Sequence, residues 1–133
     1  MATRDEFIGQ LREGLSHLYD AESLRQSPLT ALFGVANRPD TASALRTILT
    51  EGIESLKPDA DVPSESRDWR FYDALYYNYV QHLDQRIVAH QLGLSVRHMR
   101  REQRAALEVL ADRLLARVDR EAQSHNHVDV QNS

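Results

Sequence analysis

The stretch that decides the fold is IVAHQLGLSVRHMRREQRAAL, residues 87–107. A helical apolar rhythm runs through it, and Gly93 interrupts that rhythm once. Glycine enters the left-handed backbone region at little cost and so ends a helix cheaply. Two residues later Ser95 is a good N-cap, since its hydroxyl can accept a hydrogen bond from a free amide of a new first turn. The pattern predicts two helices joined by a short turn. Counting back from Gly93, Asp84 is the expected N-cap of the first helix. Ile87, Val88 and Leu92 are its expected buried face, and Ala89 is the small residue where the two helices cross. Leu94 plugs the turn, and Met99, Ala106 and Leu107 bury the second helix. That leaves Val96, Arg97, His98, Arg100, Arg101 and Arg104 on the outward sides of the second helix. A helix presenting such side chains from its N-terminal turns matches the way recognition helices enter a DNA major groove.

The charge distribution sharpens this reading. The chain of 133 residues has a net charge of −4, which by itself is unfavourable for binding phosphate backbones. Its charge is unevenly spread. Residues 1–80 carry 8 basic against 13 acidic side chains, whereas residues 81–120 carry 8 against 5. Within residues 95–104, four arginines face one acid, Glu102.

Outside this motif almost every segment reads as helix, so the expected fold class is all-α. Thr3 and Glu6 form a capping box ahead of Phe7, Leu11, Leu15 and Leu18, predicting a helix over residues 4–19. Ser27-Pro28 predicts a short helix burying Leu29, Leu32 and Phe33. Asp40 or Thr41 caps a third, with Leu45, Ile48, Leu49, Ile53 and Leu56 along one side. The run KPDADVPSES, residues 57–66, reads as an exposed linker. Next comes WRFYDALYYNYV, residues 69–80, which holds six of the nine aromatic residues. Trp69, Tyr72, Leu75, Tyr76, Tyr79, Val80 and Leu83 share one side of it. Packing is the preferred role for that side, with base stacking the alternative. The expected organisation is an acidic helical unit over 1–56, a linker over 57–66, a helix-turn-helix domain over 67–121 and a frayed polar tail over 122–133. Whether the N-terminal unit packs on the C-terminal one is left open.

The run LDQRIVAHQLGLSVRHMRREQRAALEVLADRL, together with the aromatic helix before it, resembles the helix-turn-helix of region four of bacterial sigma factors and of small regulators built on that module. The resemblance covers roughly residues 69–116. It implies structural roles for Ala89, Gly93 and Met99, and a DNA-facing set of Ser95, Val96, Arg97, His98, Arg100, Arg101 and Arg104. Glu102 departs from the pattern, occupying a position usually apolar, where an ion-paired or capping carboxylate can sit. Nothing N-terminal resembles the promoter-melting region, so the resemblance extends to the module and not to a complete sigma factor.

The expected function is a sequence-specific transcription regulator that binds double-stranded DNA. The alternative is an adaptor whose helix-turn-helix contacts RNA polymerase or another regulatory protein. A single motif with about four cations binds weakly, so a homodimer on two half-sites is expected. In the stripe Leu107, Leu110, Leu114 and Val118, half is expected to pack within the chain, and the contact would come from apolar surface beyond Leu114 or from the N-terminal helices. Other classes find no support in the sequence. There is no cysteine for thiolate chemistry or cysteine-ligated zinc. No glycine-rich phosphate loop, His-x-x-x-His pair or nucleophile elbow is present, so neither an enzyme nor a bound metal or cofactor is expected. His17, His82 and His90 are isolated, and His125 and His127 lack neighbouring ligands. The absence of a signal-like start or a long apolar run predicts a cytoplasmic protein with no membrane contact.

Overall fold

The structure, a computed structural model, describes residues 3–132, with side chains described for residues 3–121. Seven helices follow one another: α1 Arg4–Ser16, α2 Ala21–Arg25, α3 Leu29–Leu32, α4 Thr41–Glu54, α5 Arg67–Leu75, α6 Gln85–Leu92 and α7 Val96–Asn132. A π-helical turn, Tyr76–Val80, continues α5. No strand occurs among the described residues, and the fold is all-α. No described helix is long and apolar enough to cross a membrane.

Local chemistry sets most of the boundaries. The Thr3 hydroxyl accepts from the Glu6 amide at 3.1 Å and starts α1. That helix stops at Ser16, three residues short of the expected end, yet Leu18 remains fully buried in the turn that follows. There its carbonyl accepts from Arg46 Nε at 2.7 Å, tying α1 to α4. Asp20 then caps α2, an element absent from the sequence reading, by accepting from the Ser23 amide. Around α3 the expected burial holds for Leu29 and fails for Leu32, which is 39% exposed because a single helical turn offers the core only one side. Phe33 is half-buried. At α4 the cap differs from expectation. Both Asp40 oxygens are held by Arg38 at 2.8 Å, so that carboxylate makes no cap bond, and the Thr41 hydroxyl donates to the Val35 carbonyl.

Residues 57–66 are a largely exposed connection, anchored where Trp69 Nε1 donates to the Val62 carbonyl at 3.1 Å. The segments on either side of it share one hydrophobic core. Leu11 and Leu15 of α1, Leu49 and Ile53 of α4, Leu75 of α5, and Leu107, Leu110 and Leu114 of α7 all belong to it. The N-terminal helices therefore pack directly on the helix that carries the motif, answering the question the sequence leaves open. Packing is close at Gly52, where a Cβ would stand 3.0 Å from Leu114 Cδ2 and 3.1 Å from Leu110 Cδ1.

The aromatic helix is a packing element. Tyr72 and Tyr79 are buried, and Tyr72 stacks on Tyr76 with ring centroids 5.5 Å apart. The π-helical turn shifts its register, so that Asn78 joins the buried set and donates through Nδ2 to the Ala74 carbonyl. Helix α7 continues through the tail that was expected to fray, as far as Asn132. No glycine or proline follows Gly93, so nothing in the sequence breaks it. The side chains of His125 and His127 lie outside the described residues.

Candidate nucleic-acid interface

The predicted turn is present. Asp84 caps α6 by accepting from the Arg86 amide at 2.8 Å, and Gly93 closes the helix in the left-handed region at φ 71° and ψ 29°. The Leu94 amide bonds back to the Ala89 carbonyl at 2.9 Å, completing the reversal. Ser95 Oγ then accepts from the His98 amide at 3.0 Å, so α7 begins where the capping chemistry places it. Between the two helices lies a small separate core of Val88, Ala89 and Met99. Leu92, Leu94 and Val96 pack against it. Ile87 does not join them. It is 49% exposed on the outer side of α6, because Val88, Ala89 and Leu92 already span the inward arc.

The sequence-predicted set divides. Arg97, Arg101 and Arg104 are exposed and make no ion pair among the described residues. Their i, i+4, i+7 spacing places them along one outward stripe of α7. Arg100 is exposed too, but its Nε donates to Gln85 Oε1 at 2.8 Å, which bridges the two helices of the motif. Ser95 is exposed at the helix start. Val96 and His98 depart from the outward placement expected of them. Val96 is half-buried against the small core, and His98 is half-buried with Nε2 3.7 Å from Glu102 Oε1.

Glu102, the residue that broke the motif pattern, is buried at 6% exposure and is paired with Arg67 Nε at 3.3 Å. Arg67 also lies over the Phe71 ring, 4.8 Å from its centroid. An ion pair with α5 thus takes the place of the usual apolar contact. This removes the one local acid from the outward stripe, whose sign stays positive until Glu108 and Asp112. Asp112 is in turn bound by Arg4 of α1 at 3.0 Å. The exposed basic surface therefore ends near Arg104.

Sequence reasoning missed Gln85 and Arg12. Gln85 was legible as the residue after an N-cap, where its side chain can reach the crossing helix. Arg12 had no local signal, since only the tertiary packing of α1 brings it beside Arg100 and Arg104 at the edge of a cleft. Tyr79 lines the same cleft. Burial pushes its hydroxyl above the usual phenol range, with the Arg12 guanidinium acting in the opposite direction. Among the described residues no cluster of histidines and carboxylates has the composition of a metal site. In comparisons with known proteins no family model matches this sequence, and no curated protein or solved structure matches it.

Proposed function

We propose that this protein is a sequence-specific DNA-binding regulator that lays the first turns of α7 in the major groove. The observation that carries the reading is the left-handed turn at Gly93 followed by the exposed guanidinium groups of Arg97, Arg101 and Arg104, which make no ion pair among the described residues. Arg97 and Arg101, in the first two turns, are placed to reach guanine edges, and Arg104 to meet phosphate. Arg100, braced by Gln85, presents a fixed rather than a mobile cation. The likeness to sigma region four supports the same assignment, and binding by a homodimer would supply the affinity that one such helix lacks.

The test is selection of bound sequences from a random duplex pool, followed by anisotropy titration of the enriched site. A consensus whose affinity falls as salt rises is expected, and two-fold symmetry in it would identify a dimer. A pool that never enriches, with no salt-dependent binding, would overturn the reading. A protein-contacting role would then have Ile87 as its natural starting point, since it is a large apolar side chain left half-exposed on α6.

A further inference from the structure

A cleft of about 570 Å³ opens between α1, the π-helical turn and the start of α7. Three guanidinium groups line it: Arg12 from α1, and Arg100 and Arg104 from α7. The only carboxylate in its lining is Asp84, and Oδ1 of that group is already engaged by the Arg86 amide. Arg12, Arg100 and Arg104 make no ion pair among the described residues. Three guanidinium groups against one carboxylate leave the concavity net positive, which favours an anion there.

The floor of the cleft is unusual as well. Asn78 and Tyr79 form it, and both belong to the π-helical turn, a backbone irregularity that occurs often at functional sites. Beside them His82, also in the lining, is the one non-glycine residue with positive φ among the described residues, at 58°. The volume lies within the range of small-molecule pockets, roughly 300–1,000 Å³. Asn78 and Tyr79 are 7% and 8% exposed, so they lie recessed in the cleft.

We propose that this cleft binds a small phosphorylated molecule, with Arg12, Arg100 and Arg104 holding its phosphate. The Gln85 bond to Arg100 fixes one of the three cations in advance, so less side-chain freedom is lost on binding. Occupancy does not depend on the DNA reading. If that reading holds, an occupied cleft withdraws Arg100 and Arg104 from the duplex and weakens DNA binding.

Isothermal titration of the full chain with inorganic pyrophosphate tests this. Saturable binding is expected, weakened by about tenfold or more in Arg12→Ala, because one charge-assisted hydrogen bond is lost. Binding should be unchanged in Arg120→Ala, which removes an equal charge outside the cleft. Arg12 is exposed and unpaired, so the variant should fold, and its circular dichroism spectrum checks this. No saturable binding, or equal weakening in both variants, would overturn the site. So would an Arg12→Ala variant that loses duplex affinity while binding pyrophosphate as the parent does, since Arg12 would then be a DNA contact. Failure of the DNA reading would show separately, as absent duplex binding with pyrophosphate binding intact.

Discussion

Substitution of three glycines separates backbone conformation from packing, and one of them bears on the whole interface. At Gly93 an added Cβ meets no atom within 4 Å, so any cost there is conformational. Holding an L-residue in the left-handed region costs about 1–2 kcal/mol. Alanine also stiffens the unfolded chain, which returns about 0.4–1 kcal/mol. The expected net loss for Gly93→Ala is therefore about 1 kcal/mol, or about 4 °C in Tm for a chain of this size. Gly93→Asn should lose less, because asparagine tolerates this region. Gly93→Val should lose more, because a β-branched residue does not. Gly9 is the control. It also has nothing within 4 Å, but it lies inside α1, so Gly9→Ala should stabilise by about 0.5–1 kcal/mol. Gly52→Ala is the opposite case, with helical backbone but neighbours at 3.0 and 3.1 Å, and should lose about 1–3 kcal/mol through overpacking. Urea midpoints measured on all five variants give the order. A Gly93→Val protein as stable as the parent, or Asn as costly as Val, would refute the conformational argument.

Further outcomes follow from the charged groups. The double variant Arg97→Ala/Arg101→Ala should keep the parent Tm, since both side chains are exposed and unpaired. As guanine contacts, each should cost about 1–3 kcal/mol of affinity for the enriched site when removed and relax its consensus. An unchanged consensus together with unchanged affinity would remove both residues from the interface. Arg67→Ala should be less stable than Glu102→Leu, because the first strands a carboxylate that is 7% exposed while the second replaces it with an apolar side chain. Denaturant midpoints in the reverse order would contradict the assigned role of this pair. Arg38 holds the Asp40 carboxyl below its ordinary value of 3.8. The pair's contribution is thus complete above that value and fades as pH falls through the lowered one. Arg38→Ala should move the Asp40 titration up toward 3.8, as followed by carboxyl carbon chemical shifts, and an unmoved titration would refute the cause.

What was legible in the sequence was whatever a few neighbouring residues decide. Thr3, Asp84 and Ser95 each cap the helix that follows through a side-chain oxygen, and Gly93 takes the conformation its lack of a Cβ allows. Competing contacts defeated single-residue rules elsewhere. Asp40 had an N-cap's position, but Arg38 took its carboxylate, and Ile87 had an apolar side chain with no inward arc left to fill. Asn78 became buried only because a π-helical turn rotated the chain, and side-chain periodicity at 3.6 residues does not register such a turn. The outward arginines of α7 were readable from spacing. Their division into free, braced and cleft-lining groups was not, because it depends on Gln85 and on Arg12, which lies in a distant part of the chain.

Helix α7 behaves like an axle fixed at both of its working stations. Its first turns present Arg97 and Arg101 to the outside, and further along the same unbroken helix Leu110 and Leu114 are clamped between α1 and α4. No joint separates the two stations, so the arginines can tilt only if the body tilts with them. Residues 67–121 cut free of their N-terminal partners would expose Leu110 and Leu114 to water, and the exterior face would lose its bearing along with its support. The motif is thus not a detachable head, and the acidic half of the chain is the mount that aims it.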